Sequence, residues 1–274
     1  MGRVKVYADF YEIRDAVIEI DTDKEIELVY EDEFINFQKP IPEDTIRIFA
    51  TIEPDGRFID FINNHQDCFN YLLTAEPDLL HLPQAIFMPG YPAWVPPNDS
   101  TNKTFGVSSV FSARNCFPGH ALRHELWRRQ EEIKIPRFFY VGSRMPLEGV
   151  DMSKVLTLPP DHFGKKVVMD YMFHIVIDCF KKDNLFTEKL IDPLISMVYP
   201  IYWGAKNISK FFDVDSIIRV NSVDEIIEVC NNLTPHIYYG KLNTIDWNYK
   251  TALEYSDYAE VVKRAINKAL KKEL

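Results

Sequence analysis

Short apolar runs rich in β-branched and aromatic residues recur along the chain, separated by polar stretches and by segments with helical spacing. Val4–Ala8, Thr45–Ile52, Ala85–Met88, Phe138–Val141, Phe173–Ile177 and Tyr199–Trp203 read as strands, with another around Asn70–Leu73 and one beginning at Val107. Glu25–Tyr30 and Phe34–Phe37 are two short segments of an acidic stretch that ends at Lys39-Pro40, and Phe58–Asn63 predicts a short helix. After Thr187, a natural N-cap, Leu190, Ile191, Leu194, Ile195 and Val198 fall on one helical face, with Pro193 expected to kink or restart it. Ser222 with Glu225 three residues on predicts a capping box for a helix over Val223–Asn231. Ala259, Val262, Ile266, Ala269 and Leu270 give Asp257–Leu274 a helical stripe.

Strands alternating with helices imply βαβ units and largely parallel sheets, an α/β protein. At 274 residues the chain suits two domains of ordinary size. The Pro-, Asn-, Asp- and Ser-rich run Tyr91–Asn102 is the expected linker. We therefore expect a first domain over 1–98, a second over 104–250 and a C-terminal helix within 251–274.

Composition narrows the function classes. The net charge of −10 argues against nucleic acid as a partner, since phosphate backbones call for basic stripes. No apolar run is long enough for a membrane span, and MGRVKVYADF lacks the apolar region of a signal peptide. Four cysteines without CxxC spacing are expected to be reduced thiols, which points to a cytoplasmic protein. The ten glycines form neither GxGxxG nor GxxxxGK, which disfavours a dinucleotide-binding dehydrogenase or a P-loop enzyme.

The segment from Phe173 to Asn221 concentrates the candidate chemistry. It reads strand, polar loop, Thr187-capped helix, strand stopped by Gly204, then a short strand. Glu188 and Lys189 open the helix, where an ammonium suits phosphate and a carboxylate suits ribose hydroxyls. The alternative is a solvated Glu–Lys pair on an ordinary βαβ unit. Glu53 follows a strand and is a candidate general base, or else one more solvated strand-end acid. Arg123, in a segment opened by Pro118, is either a diphosphate clamp or a surface arginine, with Arg114, His120 and Lys206 as substitutes. His120 and His124 stand i, i+4, but Ala121 occupies the place where the metalloprotease pattern needs Glu. Asp21-Thr22-Asp23 and Asp213-Val214-Asp215 are Asp-x-Asp triplets of the kind that chelate a metal against a donor diphosphate. Trp94, Trp203 and Trp247 are candidates for stacking on sugar rings or for packing.

Taken in order, IFATIEPD (Ile48–Asp55), FGVSSVFSARN with PGHALRHEL (Phe105–Leu126), and FTEKLID followed by PIYWG resemble the α1,3-fucosyltransferase family and its bacterial and viral relatives. The likeness covers most of residues 45 to 225. One departure is Asp178-Cys179, where the family usually has Glu-Asn. The resemblance implies two Rossmann-like domains facing a cleft (GT-B type). It also implies inverting transfer of fucose, or a related sugar, from a GDP-sugar to a glycan hydroxyl, with no metal or other cofactor. Glu53 would be the base, Arg123 and Lys189 would hold the diphosphate, and Glu188 the ribose. The expected partners are a nucleotide-sugar donor and a glycan acceptor, and the expected setting is the cytoplasm of a bacterium or a virus-infected host cell. Two alternatives remain open at this stage: a metal-dependent Asp-x-Asp transferase, and a glycan-binding protein that kept the fold without turnover.

Overall fold

The computed structural model describes residues 2–8, 17–53, 55–89, 93–142, 146–160 and 164–271. Pro54 and residues 90–92, where the expected linker begins, lie outside the described residues, as do 272–274 of the expected C-terminal helix. The chain divides into two units: Met1–Pro92 with Asp183–Leu185 and Asp257–Leu274, and Ala93–Lys182 with Phe186–Ser256.

In the first unit, strands β1 (Gly2–Tyr7), β2 (Glu19–Ile20), β3 (Glu25–Tyr30), β4 (Thr45–Ala50), β5 (Tyr71–Thr74) and β6 (Ala85–Phe87) form one sheet. Its order is β2-β1-β3-β4-β5-β6. β2 runs antiparallel to β1, and every other pairing is parallel. The strands bury both faces, as β3 and β4 show with five consecutive buried positions each. One face packs on Phe34, Phe49, Phe69 and Leu79; the other carries Ile26, Leu28, Ile48 and Leu73. Helix α1 (Ile59–Asn64) follows β4. Of the two short segments in the acidic stretch, Glu25–Tyr30 is β3 and Phe34–Phe37 lies in a 3-10 helix, Glu31–Phe37. Arg47 is fully buried and donates to Glu27 (2.7 Å) and to the carbonyls of Phe37 and Lys39, tying that turn to the start of β4.

In the second unit, β7 (Thr104–Phe111), β8 (Arg137–Val141), β9 (Leu156–Thr157), β10 (Tyr171–Ile177), β11 (Tyr199–Trp203) and β12 (Ile218–Arg219) give the order β12-β11-β10-β7-β8-β9, all parallel. The chain moves outward from β7 through β8 and β9, then returns to the other side of β7 and moves outward again. The switch point lies between β7 and β10, and its carboxyl edge is where open α/β sheets leave a crevice for ligands.

Helices α2 (Pro118–Arg128), α3 (Glu188–Leu194), α4 (Val223–Asn232), α5 (Pro235–Gly240), α6 (Leu242–Leu253) and α7 (Tyr258–Leu270) complete the α-helices among the described residues. Thr187 caps α3 through Lys189 N–H, and Ser222 caps α4 through Glu225 N–H. The return arm of the expected capping box goes one residue further back, Glu225 accepting from Asn221 N–H at 2.8 Å. The apolar run from Leu190 to Val198 is not one helix. α3 stops at Leu194, and the carbonyl of Pro193 accepts from Ser196 and Val198 as the chain turns into β11. α5 and α6 were not read from the sequence; Thr234 before Pro235 is the cap signal that would have marked α5. α7 is capped by Asp257, and its stripe of Val261, Val262, Ala265, Ile266 and Ala269 belongs to the first unit's core.

Candidate functional site

At the β7–β10 switch point, the sequence places α2 directly after β7 and α3 directly after β10. Gly119 lets α2 start against the end of β10: a Cβ there would lie 1.7 Å from the Asp178 carbonyl oxygen. Gly119 N–H donates to the Cys179 carbonyl at 3.0 Å. One turn later Arg123 reaches across, Nη2 lying 3.8 Å from Cys179 Sγ. Burial presses the Arg123 guanidinium below its ordinary value.

Asp178 is fully buried and held from two sides. Thr187 O–H donates to Oδ1 at 2.6 Å and Tyr202 O–H donates to Oδ2 at 2.9 Å. Tyr202 accepts in turn from Ala205 N–H at 2.8 Å, past Gly204, where a Cβ would collide with the Tyr202 ring. Burial raises the Asp178 carboxyl above its ordinary value against the pull of Lys189 and these two hydroxyls.

Lys189 Nζ lies 2.8 Å from Glu188 Oε1, and the two side chains are only 27% and 5% exposed. The pair is therefore an internal one, not the solvated surface pair that a Glu–Lys dipeptide would ordinarily be. Burial works against both charges. Glu188 and Asp178 nevertheless hold Lys189 above its ordinary value, and Lys189 with Lys165 holds Glu188 below its own. The structure thus brings Arg123 and Lys189 to the wall of a small cavity of about 70 Å³, lined also by Ser109, Lys165 and His174, with Glu188 tied to it through its ion pair with Lys189.

His120 is buried, with Cys116 Sγ 3.5 Å from Nδ1 and Cys179 Sγ 3.7 Å from Nε2. Burial, reinforced by Arg123 and Lys189, pushes it down to about 4, so it is neutral at pH 7. His124 donates Nε2–H to the carbonyls of Ser112 (3.0 Å) and Arg114 (3.1 Å), which leaves that nitrogen no lone pair for a metal. Asp213 uses Oδ1 to accept from Asp215 N–H at 2.8 Å, a cap within its own triplet, and Asp21 and Asp23 are exposed between β2 and β3. Trp203 is buried at the end of β11, Trp94 and Trp247 are exposed, and so are Arg114 and Lys206. All four cysteines are free thiols.

Glu53 belongs to the first unit, three residues past β4, with its side chain 38% exposed and Arg57 Nη2 at 3.7 Å. Its backbone is fixed by a residue that no motif or spacing singles out. Glu31, buried at the end of β3, accepts from the N–H groups of both Ile52 and Glu53, the latter at 2.8 Å. Burial pushes the Glu31 carboxyl up to about 7. Other residues missed at the sequence level are Lys165 and Asp192, paired at 2.6 Å, and His174 with Ser108 at 2.7 Å. Asp192 carried one signal, standing i+4 from Glu188 on an otherwise apolar helix face.

No protein-family model matches the chain. Among solved structures, an α1,3-fucosyltransferase with GDP superposes with a TM-score of 0.54 at 16% identity, covering 93% of this chain and 92% of that one. The chain has the GT-B-like glycosyltransferase fold. Two curated proteins share local sequence with this GT-B-like chain. The α-(1,3)-fucosyltransferase FucT of Helicobacter pylori is 31% identical over 86 residues, 28% of this chain and 18% of that protein. The GDP-fucose protein O-fucosyltransferase 3 of Danio rerio is 31% identical over 107 residues, 39% of this chain and 22% of that protein. The chain thus spans about a fifth of the length of the curated relatives it matches. Parts of its sequence are thus similar to two fucosyltransferases, and its fold is GT-B-like. Among the described residues, no helix is long and apolar enough to cross a membrane.

Proposed function

We propose that the protein is an inverting glycosyltransferase that moves fucose, or a related sugar, from a GDP-linked donor to a glycan hydroxyl without a metal. The observation that carries this reading is the convergence of Arg123 and Lys189 on one cavity at the switch point of the second sheet, with Glu188 paired to Lys189 beside it. A guanidinium and an ammonium in a desolvated pocket suit a diphosphate, and they offset the charge that grows on its oxygen as the sugar–phosphate bond breaks. Glu188 would accept from the ribose hydroxyls, its second oxygen being outside the contact with Lys189. Glu53 would take the acceptor's proton as that hydroxyl attacks the anomeric carbon from the side opposite the leaving diphosphate. The local similarity to two fucosyltransferases supports the choice of GDP-fucose as donor.

The test is a thermal-shift panel of GDP, UDP, CDP and their sugars. A ligand at about 100 times its Kd stabilises a fold by about 2.7 kcal/mol. GDP and GDP-fucose are expected to raise the melting temperature most, and a clear preference for UDP would overturn the donor assignment.

A further inference from the structure

The same cavity has a third cation with no role in the reading above. Lys165 comes from neither α2 nor α3 but from a 3-10 turn, Gly164–Met169, that precedes β10. That turn is fastened at its far end. Ser108 O–H donates to the Val168 carbonyl at 2.7 Å, and the buried Lys103 donates to the Met169 carbonyl at 2.8 Å. At its near end Gly164 runs so close to the Pro159 carbonyl that a Cβ would lie 2.1 Å from it. Lys165 is therefore placed by the fold and does not wander in as a surface chain.

Its ammonium lies 2.6 Å from Asp192 Oδ2, with side-chain exposures of 10% and 0%, and 5.4 Å from the centroid of the Trp94 ring. Asp192 is itself pinned through Oδ1, which accepts from Trp94 N–H at 2.8 Å. An ammonium has three donors, and Asp192 is the one hydrogen-bond partner of Lys165 among the described residues. The charge also reaches the pocket: it helps hold Glu188 ionised and helps keep His174 neutral. A buried ion pair is a weak source of stability in its own right, so its placement on the cavity wall calls for another reason.

We infer that Lys165 is a direct ligand of the donor's diphosphate, a third cation beside Arg123 and Lys189, and that Asp192 holds its ammonium only until the ligand takes its place. The cavity's 70 Å³ is well below the roughly 300–1,000 Å³ of pockets that enclose a whole ligand, so it suits a phosphate group rather than a nucleoside. The inference rests on the proposed donor site, and it predicts opposite behaviour for the two members of one ion pair. In a purely structural pair, losing either partner damages the same contact. If Lys165 binds phosphate, Asp192 competes with the ligand for the ammonium.

The experiment is calorimetric titration of the full chain with GDP and, separately, inorganic pyrophosphate, each variant's folding checked by thermal melt. Lys165→Met is expected to weaken both ligands at least tenfold, the loss of a charge-assisted contact. Asp192→Asn, which keeps the acceptor for Trp94 N–H, is expected to leave both affinities unchanged or tighter. GDP binding by Lys165→Met within twofold of the parent overturns the inference, as does equal weakening in both variants. If Lys165→Met does not fold, Asp192→Asn decides alone: weaker GDP binding sinks the idea, equal or tighter binding sustains it. Arg123→Ala and Lys189→Ala run alongside. Loss of GDP binding in those two but not in Lys165→Met removes Lys165 and leaves the donor site standing. Unchanged binding in all three removes both.

Discussion

The hydroxyl of Thr187 lies 2.6 Å from Asp178 Oδ1 and also accepts the backbone N–H of Lys189, so one side chain both caps α3 and satisfies a buried acid. Thr187→Val keeps the shape and removes both contacts. Loss of the cap costs about 1 kcal/mol and an acceptor left unpaired inside about 1–3 kcal/mol more. Urea unfolding is expected to show a lower midpoint with an unchanged slope, together with weaker GDP binding because Lys189 loses its anchor.

Gly119→Ala is expected to be far more disruptive than its one carbon suggests. The new methyl would stand 1.7 Å from the Asp178 carbonyl oxygen, a backbone atom that cannot swing aside. α2 must then shift and carry Arg123 with it. Overpacking costs typically about 1–3 kcal/mol, and GDP affinity should fall as well. Gly240→Ala is the control: nothing lies within 4 Å of its would-be Cβ, and the gain in helix propensity should leave stability equal or slightly higher.

Glu31 makes a pH prediction with a definite sign. Its folded value of about 7 lies above its ordinary 4.5, so the fold prefers it protonated. Its contribution is fully present below about pH 4.5 and is lost as pH rises through 7. Glu31→Gln keeps an oxygen for the N–H groups of Ile52 and Glu53 but has no charge to bury. The variant should therefore gain on the parent as pH rises from 5 to 8, levelling off at about 3 kcal/mol. Chemical melts at several pH values check this; a constant difference across that range would show that the Glu31 environment has been misread.

Glu53→Gln is expected to separate binding from transfer. GDP-fucose affinity should change little, while transfer falls roughly 10²–10⁴-fold, the usual worth of a positioned general base. Turnover within a few-fold of the parent would move the base to another acid, with Asp55 the next to test.

Much of the second sheet was legible because its signals are local. Caps at Thr187 and Ser222, the strand-stopping Gly204 and apolar runs such as Phe173–Ile177 and Tyr199–Trp203 each act within a few residues. The burial of the Glu188–Lys189 pair was not legible, since an acid next to a lysine looks the same in sequence whether wet or dry. Lys165 with Asp192 and Ser108 with His174 were hidden for a different reason. Their partners lie 27 and 66 positions apart, and only the strand order brings them together. Pro193 misled in a modest way: the helix it was expected to kink is already ending there, and the apolar run continues as the lead-in to β11.

That strand order also bears on how the protein acquires its binding site. Ser109 and Arg123 are contributed by the first half of the second sheet, Lys165, His174 and Lys189 by the chain that follows, and Ser109 meets Ile175 across 66 positions. The β7–β10 pairing closes a long loop, the kind of step that slows folding because chain entropy is lost before contacts repay it. A refolding chain can build β7 with β8, or β10 with β11, and still have no cavity. Ligand capture during refolding would then report the joining of the two half-sheets, an event that the recovery of helix and strand signal alone would not distinguish.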